Sequence, residues 1–221
     1  MKRFERKLAY WMAILGLLFS AVALAQGGET AHQVVSAATE KVMKVVAGAR
    51  EAGGDPSAAY FDGIDSILAP VVDFRGFARS VMGPYATSDR YRSLDEAGRK
   101  QLTAQLDRFS EKIREVMINT YGKGLLACGG SRIEVTLPSP SDASESRATV
   151  QQRIYKENAA PYVVLYQMGS DRDGQWKLRN MIIEGVNLGE IYRGQFQSAA
   201  RRYHGDLDQV IDSWSVVNIK D

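Results

Sequence analysis

Residues 174–196 constrain the fold more than any other part of this 221-residue chain. After the Gly174 turn, apolar residues at Trp176, Leu178 and Ile182 follow a period of two, which predicts a β-strand with one buried side. Asn187 then has the side chain of a helix N-cap, and the residues after it are apolar at helical spacing. A strand that leads directly into an amphipathic helix predicts a sheet with a helix packed against it.

The rest of the chain extends this pattern into three blocks. Residues 30–127 are apolar at helical spacing, with Asp73 predicted to cap a short helix and Ser93 to open a capping box for a long one. Residues 131–185 alternate or form short apolar runs between turns, which predicts an antiparallel meander of four strands. Residues 187–218 return to helical spacing.

These blocks predict a fold of the α+β class. Residues 26–221 are expected to form a single domain, in which an antiparallel four-stranded sheet carries helices packed on one face. Sheets of this kind occur in NTF2-like and cystatin-like folds. No internal repeat, low-complexity tract or long linker divides the chain.

The first 25 residues have the three parts of a secretory signal peptide. A basic start is followed by the apolar run from Leu8 to Phe19, and Ala23 and Ala25 form a small-x-small cleavage site. Cleavage after Ala25 would leave 196 residues and change the net charge from +2 to −1. We therefore expect a soluble protein exported by the general secretory route, and the near-neutral charge argues against nucleic acid as a partner.

The sequence offers little material for catalysis or metal binding. Its only cysteine is Cys128, and its two histidines, His32 and His204, have no ligand at zinc-site spacing. No nucleophile motif or phosphate-binding glycine loop is present. We expect no metal, no cofactor and no enzymatic activity.

The sequence is also rich in aromatic and aliphatic residues at helix and strand spacing. The same pattern would produce a solid core or the lining of an apolar cavity, so periodicity alone does not separate the two. From the residues alone, the solid core is the favoured interpretation.

Three groups of residues resemble a known family. GQWK at 174–177, IEGVNL at 183–188 and YRGQF at 192–196 resemble the C-terminal signature of the MlaC, or toluene-tolerance, family. Residues 72–85 and 120–122 resemble its Asp-Phe to Gly-x-Tyr segment and its Thr-Tyr turn. The family comprises periplasmic phospholipid-binding proteins that serve an ABC transporter.

The resemblance implies that the sheet and helices leave a space that holds the acyl chains of a phospholipid. The resemblance therefore favours an apolar cavity that holds lipid over the solid core. The predicted lipid-binding residues lie on the inward sides of the helices and strands: Phe74, Phe77, Val81, Tyr85, Phe109, Ile113, Met117, Val150, Ile154, Val164, Tyr166, Leu178, Ile182, Leu188, Tyr192 and Phe196.

The resemblance also implies a function and partners. The expected protein is a soluble periplasmic carrier that moves phospholipid between the membranes and maintains outer-membrane lipid asymmetry. Its partners would be an outer-membrane lipoprotein complex and an inner-membrane ABC transporter complex with its substrate-binding ring. Arg75, Arg79 and Arg193 are candidates to contact the lipid phosphate, or alternatively solvated surface charges.

Two other functions remain open at the level of sequence. An NTF2-like enzyme acting on an apolar substrate would need a carboxylate or a tyrosine with a shifted pKa inside the cavity. Glu184 and Asp73 are the named candidates. A structural envelope protein with a solid core would need no site at all.

Overall fold

The computed structural model describes residues 29–127, 131–137, 139, 144–155 and 160–215. Within these ranges the chain forms seven α-helices, a 3₁₀ turn at Gly83–Ala86 and five strands. The helices are α1 (Ala31–Ala52), α2 (Ala58–Leu68), α3 (Phe74–Met82), α4 (Ser88–Ser93), α5 (Glu96–Ala127), α6 (Leu188–Arg202) and α7 (Leu207–Asp212). The strands are β1 (Arg132–Thr136), β2 (Arg147–Tyr155), β3 (Tyr162–Ser170), β4 (Trp176–Ile183) and β5 (Val186–Asn187). The predicted α+β class is confirmed.

Side-chain caps fix where several helices begin. The Asp73 carboxylate accepts from the Gly76 N–H at the start of α3, and Asn187 caps α6 in the same way, as the sequence predicts. The predicted capping box at Ser93 is wrong. Ser93 is the last residue of α4, and the long helix α5 is capped by Asp95, whose carboxylate accepts from the Gly98 N–H at 2.8 Å.

The sheet is an antiparallel meander in the order β1-β2-β3-β4-β5. The sequence predicts four strands, and the structure adds β5, which has only two residues. A tight turn at Glu184 and Gly185 makes this possible, because both residues have positive φ (50° and 79°). Two consecutive left-handed residues are the requirement of a type I′ hairpin turn, and Gly adopts that conformation without strain.

A β-bulge in β4 reverses the side-chain pattern of that strand. Leu178 pairs with Met168 and Ile182 pairs with Leu165, with the register shift between them. Leu178 and Ile182 therefore lie on opposite faces of the sheet, and the prediction that they share one face is wrong. Arg179 is the extra residue.

Arg179 occupies the bulge because it has partners outside its strand. Its guanidinium forms an ion pair with Asp73 at the start of α3. Its side chain also covers Gly169, where an added Cβ would lie 3.0 Å from Arg179 Nε. A contact between β4 and a helix about 100 residues earlier thus sets the local register.

The sheet is joined to the helices along β4. Asp73 N–H donates to the Leu178 carbonyl at 3.0 Å, and Leu178 N–H donates to the Val71 carbonyl at 2.8 Å. Val72 and Leu178 form a parallel bridge between these two bonds. Backbone hydrogen bonds and the Asp73–Arg179 pair therefore attach β4 directly to the start of α3.

The buried apolar residues form two separate clusters. The helical cluster lies among the helices and contains large fully buried side chains such as Phe109, Phe196 and Ile64. The sheet cluster is smaller: Ala31, Val35, Ala148, Val150 and Met168. Helix α1 contributes to both, since its first half lies in the sheet cluster and its second half in the helical cluster.

The predicted signal peptide lies outside the described residues, as does Cys128. Among the helices in the described ranges, none combines the length and the apolar character needed to cross a membrane.

Two glycines near the end of α5 differ in their surroundings and provide a test of helix packing. A Cβ at residue 122 would lie 3.1 Å and 3.2 Å from two carbons of the Phe61 ring, whereas a Cβ at residue 124 would meet nothing within 4 Å. We expect Gly122→Ala to lower the free energy of unfolding by about 1 kcal/mol, because crowding exceeds the gain in helix propensity.

The matched change Gly124→Ala should raise the free energy of unfolding by about 0.5–1 kcal/mol, since only the propensity gain remains. Urea denaturation followed by circular dichroism measures both variants. Equal stabilisation by the two changes would contradict the close approach of α2 and α5.

Candidate functional site

The candidate site is the interlayer region, where the helical cluster and the sheet cluster meet without merging. We define it by Thr39, Gln152, Ile154 and Val164. Gln152 and Val164 are paired across β2 and β3, and both are 5% exposed. Ile154 and Val164 are apolar and belong to neither cluster. They lie on the side of the sheet that faces α1, because they are in phase with Val150 of the sheet cluster.

The 16 residues predicted to bind lipid do not form one continuous surface. Ten belong to the helical cluster or pack against it: Phe74, Phe77, Val81, Tyr85, Phe109, Ile113, Met117, Leu188, Tyr192 and Phe196. Three belong to the sheet cluster or pack against it: Val150, Tyr166 and Leu178. The remaining three lie in neither cluster: Ile154, Val164 and Ile182.

Aromatic rings pack tightly within the helical cluster. The Phe109 ring lies 4.9 Å from the ring of Phe196 and 5.0 Å from that of Trp214, measured between centroids. Phe77 and Tyr192 meet edge to face at 5.9 Å. These are the distances of close aromatic pairs. The predicted residues from α3, α5 and α6 therefore contact one another.

A chain of partly buried hydrogen bonds crosses the interlayer region. Gln152 on β2 donates through Nε2 to Thr39 Oγ1 of α1 at 2.8 Å, and the Tyr166 hydroxyl of β3 donates to Gln152 Oε1 at 2.8 Å. Thr39 lies between Val35 of the sheet cluster and Val42 of the helical cluster. A buried amide without hydrogen-bond partners would destabilise the fold by roughly several kcal/mol. The Gln152 side chain therefore needs both of these bonds.

A second polar pair lies between α5 and α6. The Tyr121 and Tyr192 hydroxyl oxygens are 3.2 Å apart, and either can be the donor. Burial raises the pKa of both hydroxyls. Both tyrosines therefore keep their hydrogens at neutral pH and can act as hydrogen-bond donors.

The three arginines considered for phosphate binding lie on the exposed surface, and two of them have protein partners. Arg75 Nε lies 2.7 Å from Asp107 Oδ1. Arg193 donates to the carbonyl and the hydroxyl of Ser80, at 3.0 Å and 2.8 Å. Arg79 is exposed. These contacts give Arg75 and Arg193 a role in joining α3 to α5 and α6.

The two carboxylates considered for catalysis have structural roles. Asp73 caps α3 and pairs with Arg179. Glu184 is exposed in the β4–β5 turn, where its carboxylate accepts from the Val163 N–H. Neither arrangement resembles a carboxylate held in an apolar pocket.

Metal-binding residues do not cluster in the described ranges. No group of three or more His, Cys, Asp or Glu side chains that could hold an ion occurs there. His32 Nε2 lies 3.1 Å from the Val135 carbonyl, and His204 is exposed at the end of α6.

Two grooves on the surface are lined by charged residues. The larger, of about 880 Å³, lies beside α5 and contains the ion pairs Arg75–Asp107 and Arg108–Asp212. The smaller, of about 360 Å³, includes Arg90 and Asp208. Acyl chains would remove these charges from water, so neither groove suits an apolar ligand.

The sequence-based prediction misses several residues on the inward side of the sheet and of α1. Met181 and Ile183 pack against the helical cluster. Because of the bulge in β4, these two residues face inward and Ile182 faces outward. Gln152 stands between Val150 and Ile154 at a strictly alternating position, so the period of two in β2 could have identified it as inward-facing. Thr39 carries no comparable signal.

The chain was compared with known proteins at the levels of sequence and structure. Residues 36–216 match the model of the family described as MlaC protein. The toluene tolerance protein ttg2D of Pseudomonas putida is 32% identical over 202 residues, which are 91% of this chain and 87% of that protein.

A solved structure has a similar fold. The phospholipid-binding protein of Ralstonia solanacearum, determined in complex with a phospholipid, superposes with a TM-score of 0.67 at 18% identity. The match covers 83% of this chain and 94% of that one. Since the family match extends over most of the sequence and the relative over nearly all of it, this chain belongs to the MlaC family.

Proposed function

We propose that this protein is a periplasmic phospholipid carrier that holds the acyl chains of its cargo in the interlayer region. The observation that carries the proposal is the division of the apolar interior into two clusters, with the buried Val164 in neither. Support also comes from the MlaC family match and from the similar fold of a protein determined with a phospholipid bound.

An acyl binding site must replace the burial that the lipid had in a membrane. Two long chains contain roughly 30 methylenes, so exposing them to water costs on the order of 20 kcal/mol at about 0.8 kcal/mol each. Such a site needs apolar walls on both sides. The sheet supplies Ile154 and Val164, and the helices supply the inward side of the helical cluster, including Met117.

The proposed wall follows the 16 predicted residues except Phe109, which is enclosed by other rings, and Ile182. Ile182 lies on the other face of the sheet from Leu178, so Met181 and Ile183 take its place. Both pack against the helical cluster from β4, which gives the wall a continuous side from the sheet to the helices.

The carrier would act without catalysis. Lipid binding of this kind makes and breaks no covalent bond. The two carboxylates considered for an enzyme, Asp73 and Glu184, belong to a helix cap and a turn. A pocket that matches a bilayer in apolar character gives transport no direction, so direction would come from partners. We propose an outer-membrane lipoprotein complex and an inner-membrane ABC transporter complex as these partners, with maintenance of outer-membrane lipid asymmetry as the result.

The first test is the cargo itself. Protein purified without detergent should carry diacyl phospholipid with little headgroup selectivity, because the proposed wall is mostly apolar and two of the three candidate arginines, Arg75 and Arg193, are bonded to protein groups. Native mass spectrometry and lipid extraction measure the cargo. Absence of lipid would favour a structural protein with a solid core, and strong enrichment of one headgroup would contradict the lack of selectivity.

The second test separates the two faces of β3. Val164→Asp places a carboxylate in the interlayer region, where water can follow it, so we expect a folded protein that has lost its lipid. The matched control Leu165→Asp changes the adjacent residue on the opposite face and should keep the lipid. Circular dichroism and lipid content are measured on the same samples.

A change inside the helical cluster should behave differently. Phe109 is 0% exposed and surrounded by rings, so Phe109→Asp buries an unpaired charge and should prevent folding. If Val164→Asp also unfolds the protein, or keeps its lipid, the interlayer region is not the binding site.

A further inference from the structure

The hydroxyl pair of Tyr121 and Tyr192 has one more donor than it uses. Two hydroxyls carry two hydrogens, and the single bond between them consumes one. Within the described residues this is the only hydrogen bond that either hydroxyl makes. Whichever tyrosine accepts, its own O–H remains available to a further acceptor.

Other buried polar atoms nearby do not change this balance. Gln195 Oε1 and Trp214 Nε1 are buried without a partner in the described part of the chain. Gln195 Oε1 is an acceptor and Trp214 Nε1 carries a donor hydrogen. Together they add one acceptor and one donor, so the excess of one donor is unchanged. Trp214 also lies close to Tyr192, with 6.2 Å between their ring centroids. A partly buried donor without a protein acceptor can take a neutral acceptor from outside the chain as a favourable partner.

The position of the pair suits a group at the boundary between water and an apolar interior. Tyr192 is 3% exposed and packs against Phe77, whereas Tyr121 is half-buried on the inner side of α5. A charged acceptor would be costly at this depth, but a neutral carbonyl would not. In a diacyl lipid the ester carbonyls lie between the acyl chains and the charged headgroup, and they accept hydrogen bonds without donating any.

We propose that the Tyr121–Tyr192 hydroxyl pair donates a hydrogen bond to an ester carbonyl of the bound lipid, so that the protein discriminates ester-linked from ether-linked lipids. This inference rests on the proposed carrier function and deepens it. The pair would set the depth at which the glycerol backbone stops, while the apolar walls hold the chains. Ether oxygens are weaker acceptors, and an ether-linked lipid lacks the carbonyl altogether.

The test compares two phosphatidylcholines with saturated chains of equal length, one with ester and one with ether linkages. Lipid-stripped protein is exposed to vesicles that contain both in equal amounts, and the protein-bound lipid is quantified by mass spectrometry. A single net hydrogen bond predicts about fivefold enrichment of the ester-linked lipid.

Removing both hydroxyls should abolish this preference. We expect the double variant Tyr121→Phe/Tyr192→Phe to take up the two lipids equally while still loading. The matched control Tyr155→Phe removes a hydroxyl that donates to Glu134 on the other face of the sheet, and it should keep the wild-type preference.

Each outcome bears on a different statement. Equal uptake by the wild-type protein, which needs no variant, overturns the discrimination. An undiminished preference in the folded double variant overturns the assignment to these two hydroxyls. Both results leave the carrier function standing, whereas failure of the wild-type protein to take up either lipid overturns the carrier function as well.

Discussion

The attachment of β4 to the start of α3 is the interaction on which the rest of the structure depends. The Asp73 carboxylate caps α3 and pairs with Arg179, while its backbone N–H bonds to Leu178. One residue thus begins a helix, holds a bulge and joins the two layers. Because the sheet is attached along this strand, β2 and β3 can lie opposite α1 without fusing into the helical cluster. The buried apolar residues are thus divided into two clusters.

The elements that local chemistry determines could be predicted from the sequence. The caps at Asp73 and Asn187, the meander and the helical blocks depend on neighbours within a few residues. The sequence predicts the cap of α5 two residues early, at Ser93 instead of Asp95, because both are good capping residues. The bulge at Arg179 could not be predicted, because its cause is an ion pair with a residue far away in the sequence. One inserted residue then moved Ile182 to the opposite face.

The site was less predictable than the fold. Apolar periodicity selects candidate inward-facing residues, wrongly in the case of Ile182, and it gives no information about which of them touch one another. Phe109 and Phe196 belong to a dense group of rings, whereas Val164, which is also apolar and buried, belongs to neither cluster. Buried polar residues such as Gln152 depend on partners from distant elements, in this case Thr39 and Tyr166. Only a three-dimensional arrangement can show that such a group is satisfied.

The pairing at the margins of the sheet has a consequence for behaviour at high concentration. Strands at the margin of a sheet present backbone groups that can pair with another copy of the chain and start aggregation. At one edge of the sheet, the backbone of β4 is paired with Val72 over part of its length and with the two residues of β5 over another part. At the opposite edge, Arg132 of β1 lies over the ring of Tyr155, and Glu134 of β1 accepts a hydrogen bond from the hydroxyl of that ring. Charged side chains on an edge strand oppose edge-to-edge pairing between copies of the chain. A protein with a large apolar interior is thereby protected from assembling through its sheet.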